Sequence, residues 1–295
     1  MSVFTGVDPS VHGTHFSYDT EPPTVYPARD DLELLSETIH RGEFLTGAWT
    51  GGGQVSRSAG FARGFDFFWE GLGQINGSVM GRIGKWFRRN ADTSCFLFIH
   101  TYQIHDPYLP PSPYNEVFTS PSYDGWVIGD RDRLREEAGG ETFGVLHPLF
   151  WRTTGKQPDP SRIGQEDLQQ LVALYDGGIR YTDDVLQGFF QGLLADGLLD
   201  DTLVIVFSDH GEEFLEHGDV LHKRLYRETL HVPVILFWPA GLPRGMVVEE
   251  QVPLMDLGPT LLELMHLGVP ATNGATSLLP LLQRPDGEHH RPVFS

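Results

Sequence analysis

An α/β fold, a doubly wound and mostly parallel sheet with helices on both faces, is what this sequence predicts, and three observations predict it. Short apolar runs of strand length alternate with stretches of helical spacing. Two runs, SCFLFIH at residues 94–100 and LVIVF at 203–207, are continuously apolar, as strands covered on both faces are. No internal repeat or low-complexity tract competes with that pattern.

Taken in order, residues 31–40 (DLELLSETIH) read as a helix that stops near Gly42, and residues 44–49 as a short strand. The strand at 94–100 is followed by a loop, TYQIHDPYLPPSPY, with four prolines in fourteen residues. Residues 126–162 are polar and rich in glycine and proline, so the stretch 112–165 is expected to be a surface excursion that carries substrate-facing loops. Helical spacing returns at 165–199 through Leu168, Leu171, Val172, Tyr175, Val185, Phe189 and Leu193, with Gly177-Gly178 as the point where it could break. Strands follow at 203–207 and at 232–237 (VPVILF). A helix at 256–266 has Pro259 in its first turns and stops at Gly268. One domain, residues 1–295, is expected. In doubly wound sheets, ligands sit beyond the carboxyl ends of the strands.

Forty acidic residues against 21 basic ones give a formal charge of −19. A field of that sign repels nucleic acid and anionic lipid. No apolar run approaches the roughly 20 residues of a membrane helix. Neither nucleic acid nor a membrane segment is therefore expected. The same field repels an anionic substrate unless a local cation reverses it. The lone cysteine, Cys95, excludes an intrachain disulfide framework and a zinc–thiolate cluster. The opening MSVFTGVDPSVHG shows no signal-peptide pattern and leaves localisation open.

Ser208-Asp209-His210-Gly211-Glu212-Glu213 directly follows the strand at 203–207. A carboxylate and an imidazole at a strand end offer a divalent metal one oxygen and one nitrogen ligand, and Gly211 lets the backbone turn close to the ion. The plainer alternative is that Asp209 caps the next helix and His210 is a loop residue. His105, in QIHDPYLPP, can hydrogen-bond a substrate oxygen or protonate a leaving group near neutral pH, or it can simply order its proline-rich loop. Glu216-His217-Gly218 and His222-Lys223-Arg224 form the densest cationic patch in the chain, either a source of positive charge for an anion or a solvated loop. Asp8 and His12 have metal-like spacing, but TGVDPSVHG reads as a turn. His289 and His290 sit in a polar tail.

With its flanks, SDHGEEFLEHG…YRETLHVPVILFWPAG is similar to the carboxyl-terminal half of the sulfatase family, within the alkaline phosphatase-like superfamily. The resemblance runs along nearly the whole chain. SVFTGVDPSVHG resembles the helix and turn downstream of the family's nucleophile, and GFARGFDFFW its GFD segment. FLFIHTYQIHDPYLPP resembles its strand and histidine loop, LYDGGIRYTDDVL its long helix, and LMDLGPTLLELMHLGVP its DIxPTLLELAGVP-like helix. The resemblance implies a three-layer alkaline phosphatase-like fold and a sulfuric ester hydrolase acting on a sulfated small molecule or glycan. It also implies a divalent cation, calcium first; hard oxygen ligands favour calcium or magnesium, and the one imidazole ligand leaves zinc or manganese open. The implied nucleophile is a formylglycine made from cysteine or serine, whose hydrated aldehyde attacks sulfur before the hemiacetal collapses and releases sulfate. Residue by residue, Asp209 and His210 match the two later metal ligands, and His105 matches the histidine that contacts the sulfate or leaving group. The basic residue four before the family's Tyr-Glu pair is usually lysine. Here His222 holds that place and Lys223 follows it, so both are catalytic candidates.

The departures lie at the front. The motif Cys/Ser-x-Pro-x-Arg is expected a few residues upstream of Ser2 and does not occur within the 295 residues. The family's first strand, with its paired aspartates, is missing, and WTGGGQVS stands at 49–56 where many members carry Lys-x-His. The expectation is a truncated sulfatase-like chain, inactive as it stands. One alternative is a phosphatase, phosphodiesterase or phosphoglycerol transferase of the same superfamily, decided by the identity of the nucleophile. Another is a non-catalytic remnant or binding protein.

Overall fold

A computed structural model describes residues 1–17, 19, 24–71, 73–137, 160–270 and 275–283. Its strands are β1 (His15–Ser17), β2 (Thr24–Tyr26), β3 (Leu45–Thr50), β4 (Phe67–Glu70), β5 (Cys95–Ile99), β6 (Val204–Phe207), β7 (Glu213–Phe214), β8 (Val220–Leu221) and β9 (Val234–Phe237). β3 lies between β4 and β5 and is parallel to both, with Gly47 level with Phe67 and Leu97. Side-chain alternation sorts these strands into two faces. Phe68, Phe96 and Phe98 pack on one side against Phe4, Leu34, Ile39, Phe61 and Leu262. Trp49, Trp69, Leu97 and Ile99 pack on the other against Ile75, Met80, Ile83, Val185 and Phe189. Helices Leu35–Arg41 and Leu257–Leu264 cover the first face, and helices Gly77–Arg89 and Gln165–Ala195 the second. The result is three layers, helix–sheet–helix, as the sequence predicts. Leu34, Ile39 and Ile83 have no exposed surface, and each such side chain contributes about 1.5–3 kcal/mol of burial free energy.

Later strands depart from the parallel order. β6 pairs with β9 antiparallel, Val204 opposite Phe237 and Phe207 opposite Val234. A parallel return needs a crossover to the strand's starting end. Here residues 208–233 stay at the carboxyl end of β6, folding as the β7–β8 hairpin and the short helix Arg227–Leu230 before the chain re-enters. That connection is what gathers chemistry at one end of β6. β5, expected to be covered on both faces, is half-buried along its length, and among the described residues it hydrogen-bonds only to β3.

The helix expected at 31–40 starts at Leu35 rather than at residue 31. The Glu37 carboxylate accepts the Leu34 N–H at 2.8 Å, while Arg63 donates to the Leu32 carbonyl at 2.6 Å and holds the preceding turn. The long helix Gln165–Ala195 passes through Gly177-Gly178 unbroken. A Cβ at Gly177 would meet the Tyr114 carbonyl oxygen at 2.4 Å, so the glycine permits close approach of the proline-rich loop rather than a bend. Gly177→Ala is accordingly expected to cost about 1–3 kcal/mol despite the better helix propensity of alanine, read as a lower urea midpoint. Within the expected excursion, Val127, Ile128 and Leu134 are buried, and Tyr108, Leu171, Leu174 and Val220 pack with Val127. That part belongs to the core beneath the site, while residues 138–159 lie outside the described residues.

Candidate active site

Three imidazoles meet at the carboxyl ends of β5 and β6. His105 comes from the loop after β5, its N–H bonded to the Tyr102 carbonyl at 3.1 Å. That loop is seated by the glycine run after β3. The Tyr102 hydroxyl donates to the Gly52 carbonyl at 3.1 Å and accepts the Gln54 N–H at 3.2 Å, and a Cβ on Gly51 would reach the tyrosine ring at 2.4 Å. His210 follows β6. The Gly211 N–H donates to the Thr229 carbonyl at 2.8 Å and the Glu212 N–H to the Glu228 carbonyl at 3.2 Å, clamping the segment against residues 228–229. The β7–β8 hairpin, with Glu213 opposite Leu221, then returns His222 to the same place. Ring centroids lie 4.0 Å apart for His210–His222, 5.1 Å for His105–His222 and 6.2 Å for His105–His210. One ring nitrogen from each lies within 4.8 Å of the others.

Each ring is oriented through its Nδ1. The Nδ1 of His105 bonds the Asp106 carbonyl at 2.7 Å, that of His210 the Gly211 carbonyl at 2.8 Å, and that of His222 the Glu212 carboxylate at 3.1 Å. The Glu212 side chain is 4% exposed, and its hydrogen bond to His222 holds the imidazole above the usual histidine range while burial opposes it. Asp106 lies just behind, buried, with Oδ1 unpartnered among the described residues. Burial, then the nearby Glu212 charge, pushes its carboxyl up to about 7. Burial and Glu212 likewise push the Tyr108 phenol well above its ordinary range. His100, at the end of β5, accepts the Gly51 N–H at 3.3 Å, and burial pulls its imidazole down.

Of the residues singled out by sequence, His105, His210 and His222 come together. Asp209 stands beside them with a 67% exposed side chain, Oδ1 3.9 Å from His210 Nε2. Lys223 does not join them: its Nζ is 3.6 Å from Asp219 Oδ1, and Arg224 approaches the other Asp219 oxygen at 3.3 Å. His217 stacks on Tyr226 at 3.6 Å and contacts Glu228 at 3.1 Å. Only His222 of the cationic patch therefore enters the imidazole group. Asp8 precedes the short helix Pro9–His12, and His12 is buried between the Ser2 hydroxyl and the Thr14 N–H, in keeping with a turn. His289 and His290 lie outside the described residues. Sequence reasoning quoted Glu212 and Asp106 without giving them a role. Their signal was an acid one or two residues from a candidate histidine.

As a donor set, the described residues offer three imidazoles and one exposed carboxylate. Calcium takes roughly six to eight oxygens, so this donor set does not fit it; the donor types are those of borderline ions that accept nitrogen, but the His210 and His222 rings are stacked rather than aimed at one point.

Comparison with known proteins identifies the family and the fold. The family model named Sulfatase matches residues 65–267. The chain is 29% identical over 211 residues to arylsulfatase K of Homo sapiens and 27% identical over 220 residues to that of Bos taurus, each match covering 70% of this chain. It spans 39% of the length of those relatives. Among solved structures, it superposes on the phosphonate monoester hydrolase of Agrobacterium radiobacter with a TM-score of 0.72 at 21% identity, covering 98% of this chain and 68% of that one. It also superposes, with a TM-score of 0.71 at 17% identity, on a protein in complex with its substrate D-glucosamine-2-N,6-O-disulfate, covering 96% of this chain and 69% of that one. These superpositions show the alkaline phosphatase-like fold. The family match from β4 through the helix Leu257–Leu264, with His105, Asp209, His210 and His222 inside it, shows that the chain belongs to the sulfatase family.

Proposed function

We propose that this chain carries the ester-binding and leaving-group side of a sulfuric ester hydrolase that acts on a sulfated small molecule or glycan. The observation that carries the reading is the meeting of His105, His210 and His222 at the strand ends of a family member with a −19 charge. An anion approaches such a chain only where cationic or proton-donating groups converge. His222, held toward its imidazolium form by Glu212, supplies positive charge and a proton for the departing alcohol. His105, anchored through Nδ1, acts through Nε2, which in the doubly protonated ring donates to a sulfate oxygen or to that alcohol. We assign this work to His222 rather than Lys223, because Lys223 is paired with Asp219. Asp209 and His210 are the proposed holders of a divalent cation.

The nucleophile is not among these 295 residues. Cys95 lies in β5 without a following Pro or Arg at the motif positions, and burial pushes its thiol up, away from the reactive thiolate. The chain alone is therefore expected to bind a sulfate ester without turning it over. Calorimetric titration with para-nitrophenyl sulfate tests this. His105→Ala and His222→Ala should each weaken binding about tenfold or more, the worth of a hydrogen bond to a charged group, and Lys223→Ala should leave it unchanged. Equal losses in all three variants would contradict the assignment.

A further inference from the structure

We propose that the helix Gly77–Arg89 carries a basic stripe, Arg82, Lys85 and Arg89, on which the anionic chain of a sulfated glycan docks outside the ester site. The choice of a glycan rests on the ester-hydrolysis reading; the stripe itself does not. Residues 71–91 contain no Asp or Glu, although the chain holds 40 acids and a formal charge of −19. The helix within them holds four of the 21 basic residues. Arg88 is neutralised by Asp196. Arg82, Lys85 and Arg89 are exposed and, among the described residues, in no ion pair. At 3.6 residues per turn the three lie within about 60° of arc. Arg82 stands over the Trp69 ring, 5.4 Å from its centroid, which holds its guanidinium in place.

Like charges three and four positions apart repel along a helix face, so Arg82–Lys85 and Lys85–Arg89 weaken this helix unless an anion lies between them. The helix dipole favours cations in the last turn, which accounts for Arg88 and Arg89 and not for Arg82 and Lys85. An anionic lipid surface is the poorer occupant, because a surface helix binds it by burying an apolar face. Here Met80, Ile83 and Trp86 are already packed in the core, Ile83 with no exposed surface and Trp86 against Trp49. Duplex DNA is poorer too: stiff and densely charged, it brings phosphates against the rest of an acidic surface. A flexible glycan with sulfates spaced along it can follow the stripe alone. The placement agrees. β4 runs parallel to β3 and β5, so the helix that follows it starts at the end of the sheet where the imidazoles meet. Thr101, four residues before His105, donates to the Gly73 carbonyl at 3.5 Å, and the Tyr181 hydroxyl to the Ile75 carbonyl at 2.9 Å, fixing the entry to the helix. From there the stripe leads away from the ester site, with about 10 Å of helix between Arg82 and Arg89. A glycan held at both places gains affinity over one held at the ester alone.

Calorimetric titration of the 295-residue chain with a long heparin chain, a heparin disaccharide and para-nitrophenyl sulfate, over a range of salt, tests the stripe without any turnover. The long chain is expected to bind more tightly than the disaccharide and to weaken steeply with salt. Arg82→Ala, Lys85→Ala and Arg89→Ala combined should weaken the long chain about tenfold and flatten its salt dependence. Binding of para-nitrophenyl sulfate should not change, which also reports that the variant is folded. Arg29→Ala, Arg131→Ala and Arg244→Ala combined remove the same charge from exposed positions elsewhere and should alter heparin binding by less than about twofold. Equal losses in the two triple variants, no dependence on glycan length, or duplex DNA or phosphatidylserine vesicles bound as tightly as heparin overturns the proposal. Heparin binding through the stripe by a chain that ignores para-nitrophenyl sulfate would instead sink the ester-hydrolysis reading alone.

Discussion

Replacing Asp106 by asparagine should stabilise the chain at about pH 8 by a few kcal/mol and leave it nearly unchanged at about pH 4. Asp106 is buried, its Oδ1 has no partner among the described residues, and the buried Glu212 faces it with like charge. These causes raise its carboxyl to about 7, whereas in the unfolded chain it titrates at about 3.9. Between those values the folded state holds a proton that the unfolded state releases. Folding stability therefore falls as pH rises through this window and is fully present below it. A displacement of about three pH units corresponds to about 4 kcal/mol at most. Asparagine keeps the shape and carries no charge, so the penalty disappears. The raised His222 contributes a slope of the same sign, with stability present below about 6.5 and lost as pH climbs past its folded value, and that slope survives in the variant. Urea midpoints at three pH values decide the matter. An Asp106→Asn chain no more stable than the parent at alkaline pH would show that the carboxyl is solvated or ion-bound.

Gly211→Ala should be the most damaging single methyl group near the site. Its Cβ would lie 2.0 Å from the Glu228 carbonyl oxygen, a backbone atom that cannot rotate away. Relief requires residues 210–212 to part from residues 228–229, breaking the Gly211–Thr229 and Glu212–Glu228 hydrogen bonds. The expected cost is about 1–3 kcal/mol or more in stability. A shift of about an ångström at His210 and Glu212 should also lower any turnover about 100-fold. Gly218→Ala is the control. Its φ of +79 is unfavourable for alanine, but nothing lies within 4 Å, so a loss of about 1 kcal/mol without disturbance of the imidazole cluster is expected. Similar effects in both variants would mean that close approach at Gly211 is not what sets the site.

The layered fold was legible because periodicity reports burial directly. The alternation in FLFI splits Phe96 and Phe98 from Leu97 and Ile99 onto opposite faces, as the two cores confirm. The antiparallel β9 was not legible, because VPVILF has the same apolar character in either direction and only the path of residues 208–233 decides it. Gly177-Gly178 read as a point where the helix could break because propensity sees backbone entropy, whereas Tyr114, distant in sequence, makes the small residue necessary at 177. Within the site, motif spacing found the histidines that meet. It could not tell where His222 and Lys223 would point, since Lys223 is held by Asp219 while His222 stands with the other two rings. Nor could it see Asp106 and Glu212 as a facing pair, which arises only when the β7–β8 hairpin folds back on the His105 loop.

The most direct test of the proposed activity is release of para-nitrophenol from para-nitrophenyl sulfate by the chain expressed with all coding sequence contiguous to it. The same protein is assayed on a phosphonate monoester. The account predicts sulfate ester turnover that falls at least about 100-fold in His105→Ala and His222→Ala and is unchanged in Lys223→Ala. Turnover of the phosphonate with the sulfate ester untouched, or undiminished sulfate turnover in both histidine variants, would contradict it.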